Sequence, residues 1–175
     1  EQKDILNKKK QLIVVTAHRR ESFGEPIRNI CYAIKTIAEK HADSIELVYP
    51  VHLNPNIQEP VHELLQGLPN VTLLPPIEYL PLIHLLKHAK LVLSDSGGIQ
   101  EEATGLGIPT LVLRDVTERP EGVSAGVLKL VGTDAYTIAK ETQVLLTDQA
   151  KYNAMAHATN PFGDGHAAKR IVDAL

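Results

Sequence analysis

The sequence predicts an α/β protein in which about six parallel strands form a sheet covered by helices on both faces. Short apolar runs rich in branched side chains alternate along the chain with longer amphipathic stretches, as in successive strand and helix units. The strand candidates are apolar throughout, which is typical of parallel strands buried on both faces. The chain has 175 residues, enough for one domain with a sizeable core.

The strand candidates are brief, and polar or turn-forming residues follow most of them. In chain order they are residues 12–16, 45–49, 71–74, 91–94 and 110–113, with a weaker candidate at 127–131.

Helical candidates separate these strands. From Ile27 to Ile37, isoleucine recurs at spacings of three and four, so one face of this stretch is apolar. Pro26 suits the first turn of that helix, which we expect to end near Lys40. The other candidates are residues 55–66, 79–88, 97–105, 135–146, 151–158 and 166–175.

The composition argues against several classes of protein. The net charge of −3 has the wrong sign for holding nucleic acid by the overall field, and the apolar runs are far shorter than the roughly 20 residues that cross a bilayer.

The single cysteine, Cys31, forms no intrachain disulfide and is predicted to be a buried, unreactive thiol. With no secretory leader pattern, we expect a cytoplasmic protein without nucleic-acid or membrane partners. Residues 1–10 are predicted to be a solvated lead-in.

The most informative segment reads SDSGGIQEE, from Ser94 to Glu102, and follows a buried strand directly. A helix starting there offers free backbone N–H groups and the positive end of its dipole to an anion. Gly97 and Gly98 allow a phosphate to approach the backbone closely. Ser96 either caps the helix or donates its hydroxyl to a phosphate oxygen.

The two acidic residues of this segment, Glu101 and Glu102, lie about 100° apart on a helix, so only one easily faces a ligand. We assign Glu102 to the vicinal hydroxyls of a ribose. The alternative is a capped helix with acidic residues near its positive end.

A second cluster, TAHRRES, runs from Thr16 to Ser22 and follows the first strand. It lies at a carboxyl end of the sheet, where open α/β proteins bind ligands. His18 is suited to contact or protonate a leaving phosphate, and Arg19 and Arg20 to neutralise charge. The alternative is a surface turn with solvated charges.

A third cluster, DVTERPE, runs from Asp115 to Glu121 just past another strand, and Arg119 is its best ligand for a phosphate or a sugar. Three charged clusters at strand ends favour one shared site, because the carboxyl ends of parallel strands meet at the same edge.

Together these segments resemble the non-hydrolysing UDP-N-acetylglucosamine 2-epimerases. The matching motifs are TAHRRE, YPVHLNP, DSGGIQEE, LRDVTERPEG and NPFGDG, in that order and from about residue 12 to the last residue. The resemblance covers only the C-terminal half of such enzymes. It implies a Rossmann-like fold, the C-terminal domain of a two-domain glycosyltransferase-B-type fold. Residues 1–175 would then form one UDP-binding domain, with the N-terminal partner domain absent from this chain.

The resemblance also implies an isomerase that interconverts UDP-N-acetylglucosamine and UDP-N-acetylmannosamine by elimination and re-addition of UDP. It implies no cofactor and no metal. The proton-transferring carboxylates would belong to the missing domain, so we expect this chain to be inactive alone. The implied partners are UDP, UDP-N-acetylhexosamines and a second copy of the full-length enzyme. The implied pathway supplies bacterial cell-surface polysaccharides.

The site residues follow from the motif positions. His18 would lie near the diphosphate and assist catalysis. The implied UDP-binding residues are Ile77 and Leu82 for the uracil, Ser96, Gly97 and Gly98 for the diphosphate, Glu102 for the ribose and Arg119 for the phosphate or sugar.

A second, activating UDP-N-acetylglucosamine binds in bacterial relatives, and Arg19 and His52 stand at the positions that hold it. For His52 the alternative is a hydrogen-bonded histidine at a strand end. The sequence departs from the family pattern at Leu82, where an aromatic residue is common, and at Ser22, where asparagine is usual.

Two other functions remain open from the sequence. A glycosyltransferase half-domain that uses a UDP-sugar would share the sheet and the phosphate-binding helix, and a nucleotide-sugar sensor would bind without turnover. The run GVSAG around Ser124 matches the pattern of a hydrolase nucleophile, but a charged loop is predicted before it and a strand after it, the wrong order for that motif. His84 and His88 lack the glutamate of a zinc-binding motif and are predicted to be ordinary surface histidines.

Overall fold

A computed structural model describes residues 9–175 of the chain, so most of the predicted lead-in lies outside the described residues. The predicted sheet is confirmed: six parallel strands pair in the order β3-β2-β1-β4-β5-β6. The strands are β1 (Gln11–Thr16), β2 (Ile45–Pro50), β3 (Val71–Leu74), β4 (Ala89–Ser94), β5 (Thr110–Val112) and β6 (Leu128–Leu130). Each begins and ends within two residues of its predicted range.

The predicted helices are also present. They are α1 (Glu25–Lys40), α2 (Pro55–Leu65), α3 (Tyr79–Lys87), α4 (Gly97–Gly105), α6 (Ala135–Thr147), α7 (Gln149–Ala156) and α8 (Ala167–Ala174), and α5 (Pro120–Ser124) lies between α4 and α6. A short 3-10 helix, Arg20–Ser22, precedes α1.

Helix α5 corrects the sequence analysis, which placed a charged loop before the GVSAG run. Pro120 begins the helix, a position where its fixed φ is favourable and its missing N–H costs nothing. Gly122 packs so closely on β6 that a Cβ there would lie 2.6 Å from a methyl group of Leu128. Ser124 ends α5 and precedes β6, so it does not occupy the strand-to-helix turn of a nucleophile elbow.

The two faces of the sheet are buried under different helices because side chains alternate along a strand. Ile13 and Val15 of β1 pack with α1, α2 and α6, and Leu12 and Val14 pack with α3 and α4. No helix in the described part of the chain is long and apolar enough to cross a membrane.

The strand order reverses between β1 and β4, the two central neighbours. The connection after β1 leads outward to one side of the sheet, and the connection after β4 leads to the other. A crevice therefore opens between the carboxyl ends of these two strands, the usual ligand site of open α/β sheets.

Candidate functional site

The buried carboxylate of Asp95 joins the two sides of this crevice. Asp95 follows β4 and is fully buried. Its Oδ2 accepts hydrogen bonds from the backbone N–H groups of His18, at 2.8 Å, and Arg19, at 2.7 Å. The loop after β1 is thereby fixed against the start of α4, since two charge-assisted bonds hold consecutive amides.

Hydrogen bonds of three buried hydroxyl groups support the same loop. Tyr49 of β2 donates a 2.6 Å hydrogen bond to the carbonyl oxygen of Ala17, and burial raises the pKa of this tyrosine well above its usual value. Thr16 and Ser94 share a 2.7 Å hydrogen bond between their hydroxyls, and Ser94 accepts another from the N–H of Ser96. The loop and the start of α4 are thus built on one hydrogen-bonded base.

Helix α4 begins as predicted at Gly97, with Ser96 as its N-cap residue. The Ser96 side chain makes no capping hydrogen bond, so of its two predicted roles the cap is wrong for this structure. Gly98 is exposed, and a Cβ placed on it would meet no atom within 4 Å. At Gly98 the first turn of α4 therefore presents its backbone at a surface that no neighbouring side chain covers, as an anion site requires.

Two guanidinium groups converge on this helix end. A terminal nitrogen of Arg19 lies 3.7 Å from the position that a Cβ would take on Gly97, and a terminal nitrogen of Arg119 lies 3.8 Å from it. They come from the loops after β1 and β5, on opposite sides of β4. Two positive charges thus flank the positive end of a helix dipole, an arrangement suited to a dianion such as a diphosphate.

Arg119 is oriented by bonds to the protein. Its Nε is hydrogen-bonded to Glu101 and one terminal nitrogen donates to the carbonyl of Glu118, while the other terminal nitrogen is the one that lies over Gly97. Its backbone N–H donates to Thr117, whose hydroxyl donates a 2.7 Å bond to the fully buried Gln100. These contacts aim one edge of the guanidinium at the helix end.

Glu101 and Glu102 have different partners, in line with the argument that only one of them faces a ligand. Glu101 pairs with Arg119, whereas Glu102 accepts a 2.7 Å hydrogen bond from the hydroxyl of Tyr79 at the start of α3. That bond raises the pKa of Tyr79. Glu102 lies in the second turn of α4, and its predicted contact with a ribose stays a prediction.

His18 lies on the rim of the crevice, with 41% of its side chain exposed. Its Nδ1 is 3.8 Å from Oδ1 of Asp95, and its ring stacks on that of His52 with 5.5 Å between the centroids. Nδ1 of His52 accepts a hydrogen bond from the N–H of Asn54, so its other ring nitrogen carries the proton when the ring is neutral. The structure therefore brings together His18 and His52, which the sequence places in two motifs, whereas the Arg19 guanidinium lies by Gly97 and Glu118.

The predicted uracil contacts lie on the other side of α4. Ile77 is in the loop after β3, and Leu82 is in the first turns of α3. Both are half-buried against the core under α3 and α4.

Several residues that organise the site received no role in the sequence analysis. They are Asp95, Gln100, Arg114, Thr117, Glu118 and Tyr79. For Asp95 a signal existed, because a carboxylate directly after a fully apolar central strand has to be buried and paired. The partners of the others depend on side chains from distant loops, which no spacing in the sequence reveals.

Within the described residues, no group of three or more histidine, cysteine, aspartate or glutamate side chains is placed to hold a metal ion. His84 and His88 meet edge to face with 4.7 Å between their ring centroids, and Nδ1 of His88 bonds to the carbonyl of His84. Arg20 begins the short 3-10 helix and is exposed.

Comparisons with known proteins agree with the resemblance found in the motifs. The family model described as UDP-N-acetylglucosamine 2-epimerase matches residues 1–175. A UDP-N-acetylglucosamine 2-epimerase of Escherichia coli K12 is 56% identical over 166 residues, which are 95% of this chain and 44% of that protein. The chain thus spans less than half the length of this curated relative.

Solved structures show the same likeness. The UDP-GlcNAc 2-epimerase from Neisseria meningitidis bound to UDP-GlcNAc matches with a TM-score of 0.90 and 47% identity, over 94% of this chain and 44% of that one. The spinosyn rhamnosyltransferase SpnG matches with a TM-score of 0.58 and 21% identity, over 85% of this chain and 39% of that one. The second match concerns the fold alone and agrees with a glycosyltransferase-B-type architecture.

Proposed function

Because the chain belongs to the UDP-N-acetylglucosamine 2-epimerase family, we propose that it is the nucleotide-binding half of an enzyme that interconverts UDP-N-acetylglucosamine and UDP-N-acetylmannosamine. One observation carries the proposal. Two arginines, Arg19 and Arg119, converge on the open N-terminus of α4 beside the β1–β4 crevice. The diphosphate binds there, Glu102 holds the ribose, and Ile77 and Leu82 contact the uracil.

The reaction breaks the C2–H bond of the sugar and the bond from C1 to the diphosphate oxygen, which leaves a glycal and UDP. Re-addition of UDP to C1, with a proton delivered to C2 from the opposite face, gives the epimer. Negative charge develops on the diphosphate as C1–O breaks. The N–H groups of Gly97 and Gly98, the two guanidiniums and His18 stabilise this charge where it forms. His18 is also placed to protonate the leaving phosphate.

The carboxylates that move the C2 proton belong to the domain that precedes this one in full-length relatives, so the chain alone binds nucleotide without turning it over. Measurable C2 epimerisation by the isolated chain would contradict the assignment of proton transfer to the preceding domain. In the complete enzyme, Arg19 and His52 hold a second, activating UDP-N-acetylglucosamine. The enzyme is a cytoplasmic homodimer that supplies precursors of bacterial surface polysaccharides.

Calorimetric titration with UDP, with ADP as the control nucleotide, tests the nucleotide site. We expect UDP to bind in preference to ADP, and Gly98→Val to weaken UDP binding at least about tenfold because the added side chain occupies the phosphate position. A Cβ at Gly98 meets no protein atom, so the variant is expected to fold. Glu102→Ala should weaken UDP binding through loss of the ribose contact.

Gly105→Val is the matched control. Gly105 ends the same helix and is exposed, and a Cβ there also meets nothing within 4 Å. It should therefore leave UDP affinity unchanged. The absence of UDP binding at millimolar concentration to the folded chain, or equal effects of the two valine substitutions, would refute the site.

A further inference from the structure

The guanidinium of Arg114 lies at the centre of a chain of alternating charges that links two loops of the site. Arg114 follows β5, and only 7% of its side chain is exposed. Its Nε and one terminal nitrogen bond to the two carboxylate oxygens of Glu21, and the other terminal nitrogen bonds to Oε2 of Glu118 at 2.5 Å. All three nitrogens are therefore occupied by protein carboxylates.

The chain of charges continues to the anion site. The second carboxylate oxygen of Glu118, Oε1, lies 3.6 Å from a terminal nitrogen of Arg19. Glu118 is also the residue before Arg119, and its carbonyl accepts a hydrogen bond from the Arg119 guanidinium. Glu118 thus contacts both arginines that converge on Gly97, one through its side chain and one through its backbone.

Backbone hydrogen bonds to the neighbouring strands hold Arg114 in place. Its carbonyl accepts a hydrogen bond from the N–H of Gly132 after β6, and the preceding residue, Leu113, donates to the carbonyl of Ser94 at the end of β4. Burial alone would lower the pKa of Arg114, but its bonds to Glu118 and Glu21 outweigh that effect and raise it. The same pairing lowers the pKa of Glu118. Arg114 thus remains charged although it is buried, and its planar guanidinium holds the carboxylates of Glu21 and Glu118 in fixed directions.

We infer that Arg114 is a positioning residue for the diphosphate site: through Glu21 and Glu118 it sets the separation of Arg19 and Arg119 across the end of α4. This inference rests on the proposed UDP site and adds to it the element that fixes its geometry. Arg114 is assigned no substrate contact, because each of its three nitrogens donates to Glu21 or Glu118 and only 7% of its side chain is exposed.

Two substitutions separate positioning from simple charge effects. Arg114→Lys keeps the positive charge but cannot hold two carboxylates in a planar fork. Glu118→Gln removes a negative charge beside an anion site, so charge alone would make UDP bind more tightly. If the carboxylate acts by holding Arg19, UDP binds more weakly instead. We expect both variants to weaken UDP binding at least about fivefold, the loss expected for a misplaced charge-assisted hydrogen bond.

Uridine, which lacks the phosphates, distinguishes positioning of the diphosphate groups from a general structural defect, because a general defect would weaken uridine binding as well. Its affinity, measured by ligand-observed NMR, should remain unchanged in both variants. The matched controls are Arg28→Lys and Glu63→Gln, which alter a bidentate ion pair of the same chemistry joining α1 to α2. These controls should leave UDP affinity unchanged. Should Arg114→Lys fail to fold, Glu118→Gln carries the same test, since its side chain is 47% exposed.

The outcomes are distinct. Unchanged or tighter UDP binding by folded Glu118→Gln, or a parallel loss of UDP and uridine affinity, would overturn the positioning role while leaving the UDP site intact. Failure of the unsubstituted chain to bind UDP would overturn the proposed function and this inference with it.

Discussion

At the scale of single residues, Asp95 supports the site because its carboxylate is the acceptor for the backbone N–H groups of His18 and Arg19. Its removal would leave both N–H groups without that acceptor. We expect Asp95→Ala to lower the free energy of unfolding by about 2–4 kcal/mol, the usual cost of losing buried bonds to a charged group. Asp95→Asn keeps an acceptor oxygen and should cost less. Urea denaturation measures the stability of both variants. Equal denaturation midpoints for Asp95→Ala and the unsubstituted chain would mean that the Asp95 carboxylate does not stabilise the loop after β1.

Cys31 gives a second prediction, which concerns pH. The thiol was predicted to be buried, and the structure confirms it: burial raises its pKa from 9.0 to about 12. Between these values the unfolded chain loses the thiol proton and the folded chain keeps it, so stability falls as pH rises. From pH 8 to 10.5 the unsubstituted chain should lose about 2 kcal/mol more than Cys31→Ala.

The buried Tyr49 hydroxyl shifts stability in the same direction from about pH 10 upward, which is why the difference between the two chains, and not the total loss, is the quantity to measure. Chemical denaturation at the two pH values provides it. Equal losses in the two chains would mean that water reaches the Cys31 thiol in the folded state.

At the scale of secondary-structure elements, the helices differ in how their first turns are satisfied. Asp134 caps α6 by accepting a bond from the N–H of Thr137, and Asp148 caps α7 in the same way through Lys151. Ser96 begins α4 without such a bond. A side chain thus occupies the first turn of α6 and of α7, whereas the first turn of α4 has no such bond and remains available to a ligand.

Substitution of these N-cap residues should separate stability from binding. Asp134→Ala is expected to lower the melting temperature by a few degrees and to leave UDP affinity unchanged. Ser96→Ala should change stability by no more than about 0.5 kcal/mol, because its hydroxyl makes no capping bond, and should weaken UDP binding. Thermal melts and UDP titrations of both variants measure this. A reversed pattern would show that Ser96 serves the helix and not the ligand.

The positions of strands and helices could be predicted from the sequence because they depend on local patterns. The isoleucine spacing of α1 and the unbroken apolar runs of β1 and β4 each specify one structure. Helix α5 was missed because a segment of five residues is too short to carry a periodic signal. Its packing also depends on contact between Gly122 and Leu128.

The glycines and the charged residues of the candidate site could be predicted from the sequence, but the pairings between its side chains could not. The sequence indicates an anion site at Gly97 and Gly98 and a ligand role for Arg119. It does not reveal that Glu101 pairs with Arg119 or Tyr79 with Glu102, because each pair joins α4 to a segment distant in the sequence, whose approach is set by the sheet. The ligand roles of the site residues stay predictions.

At the scale of the whole molecule, α8 contributes little to the fold of this chain. None of its residues is buried, and Ile171 and Val172 are 60% and 71% exposed. Its ion pair from Arg170 to Asp164 is exposed as well, and such pairs contribute little.

We therefore expect removal of residues 167–175 to shift the melting temperature by less than about 2 °C. Removal of residues 149–175 also takes away the buried Met155 of α7. This longer deletion should lower the melting temperature by more than the shorter one does. Differential scanning calorimetry of the three chains measures both effects. A large loss on removing residues 167–175 alone would contradict the exposure of α8.

The bond between Thr16 and Ser94 joins residues 78 positions apart. At a synthesis rate of about 5–20 residues per second, the loop after β1 leaves the ribosome roughly 4–16 s before the strand that will hold it. During that interval β1 can pair with β2, but Asp95 has not yet left the ribosome. The nascent chain therefore acquires half of its sheet before this anion site exists, and ligand binding during translation would mark the arrival of α4 and of the loop that carries Arg119.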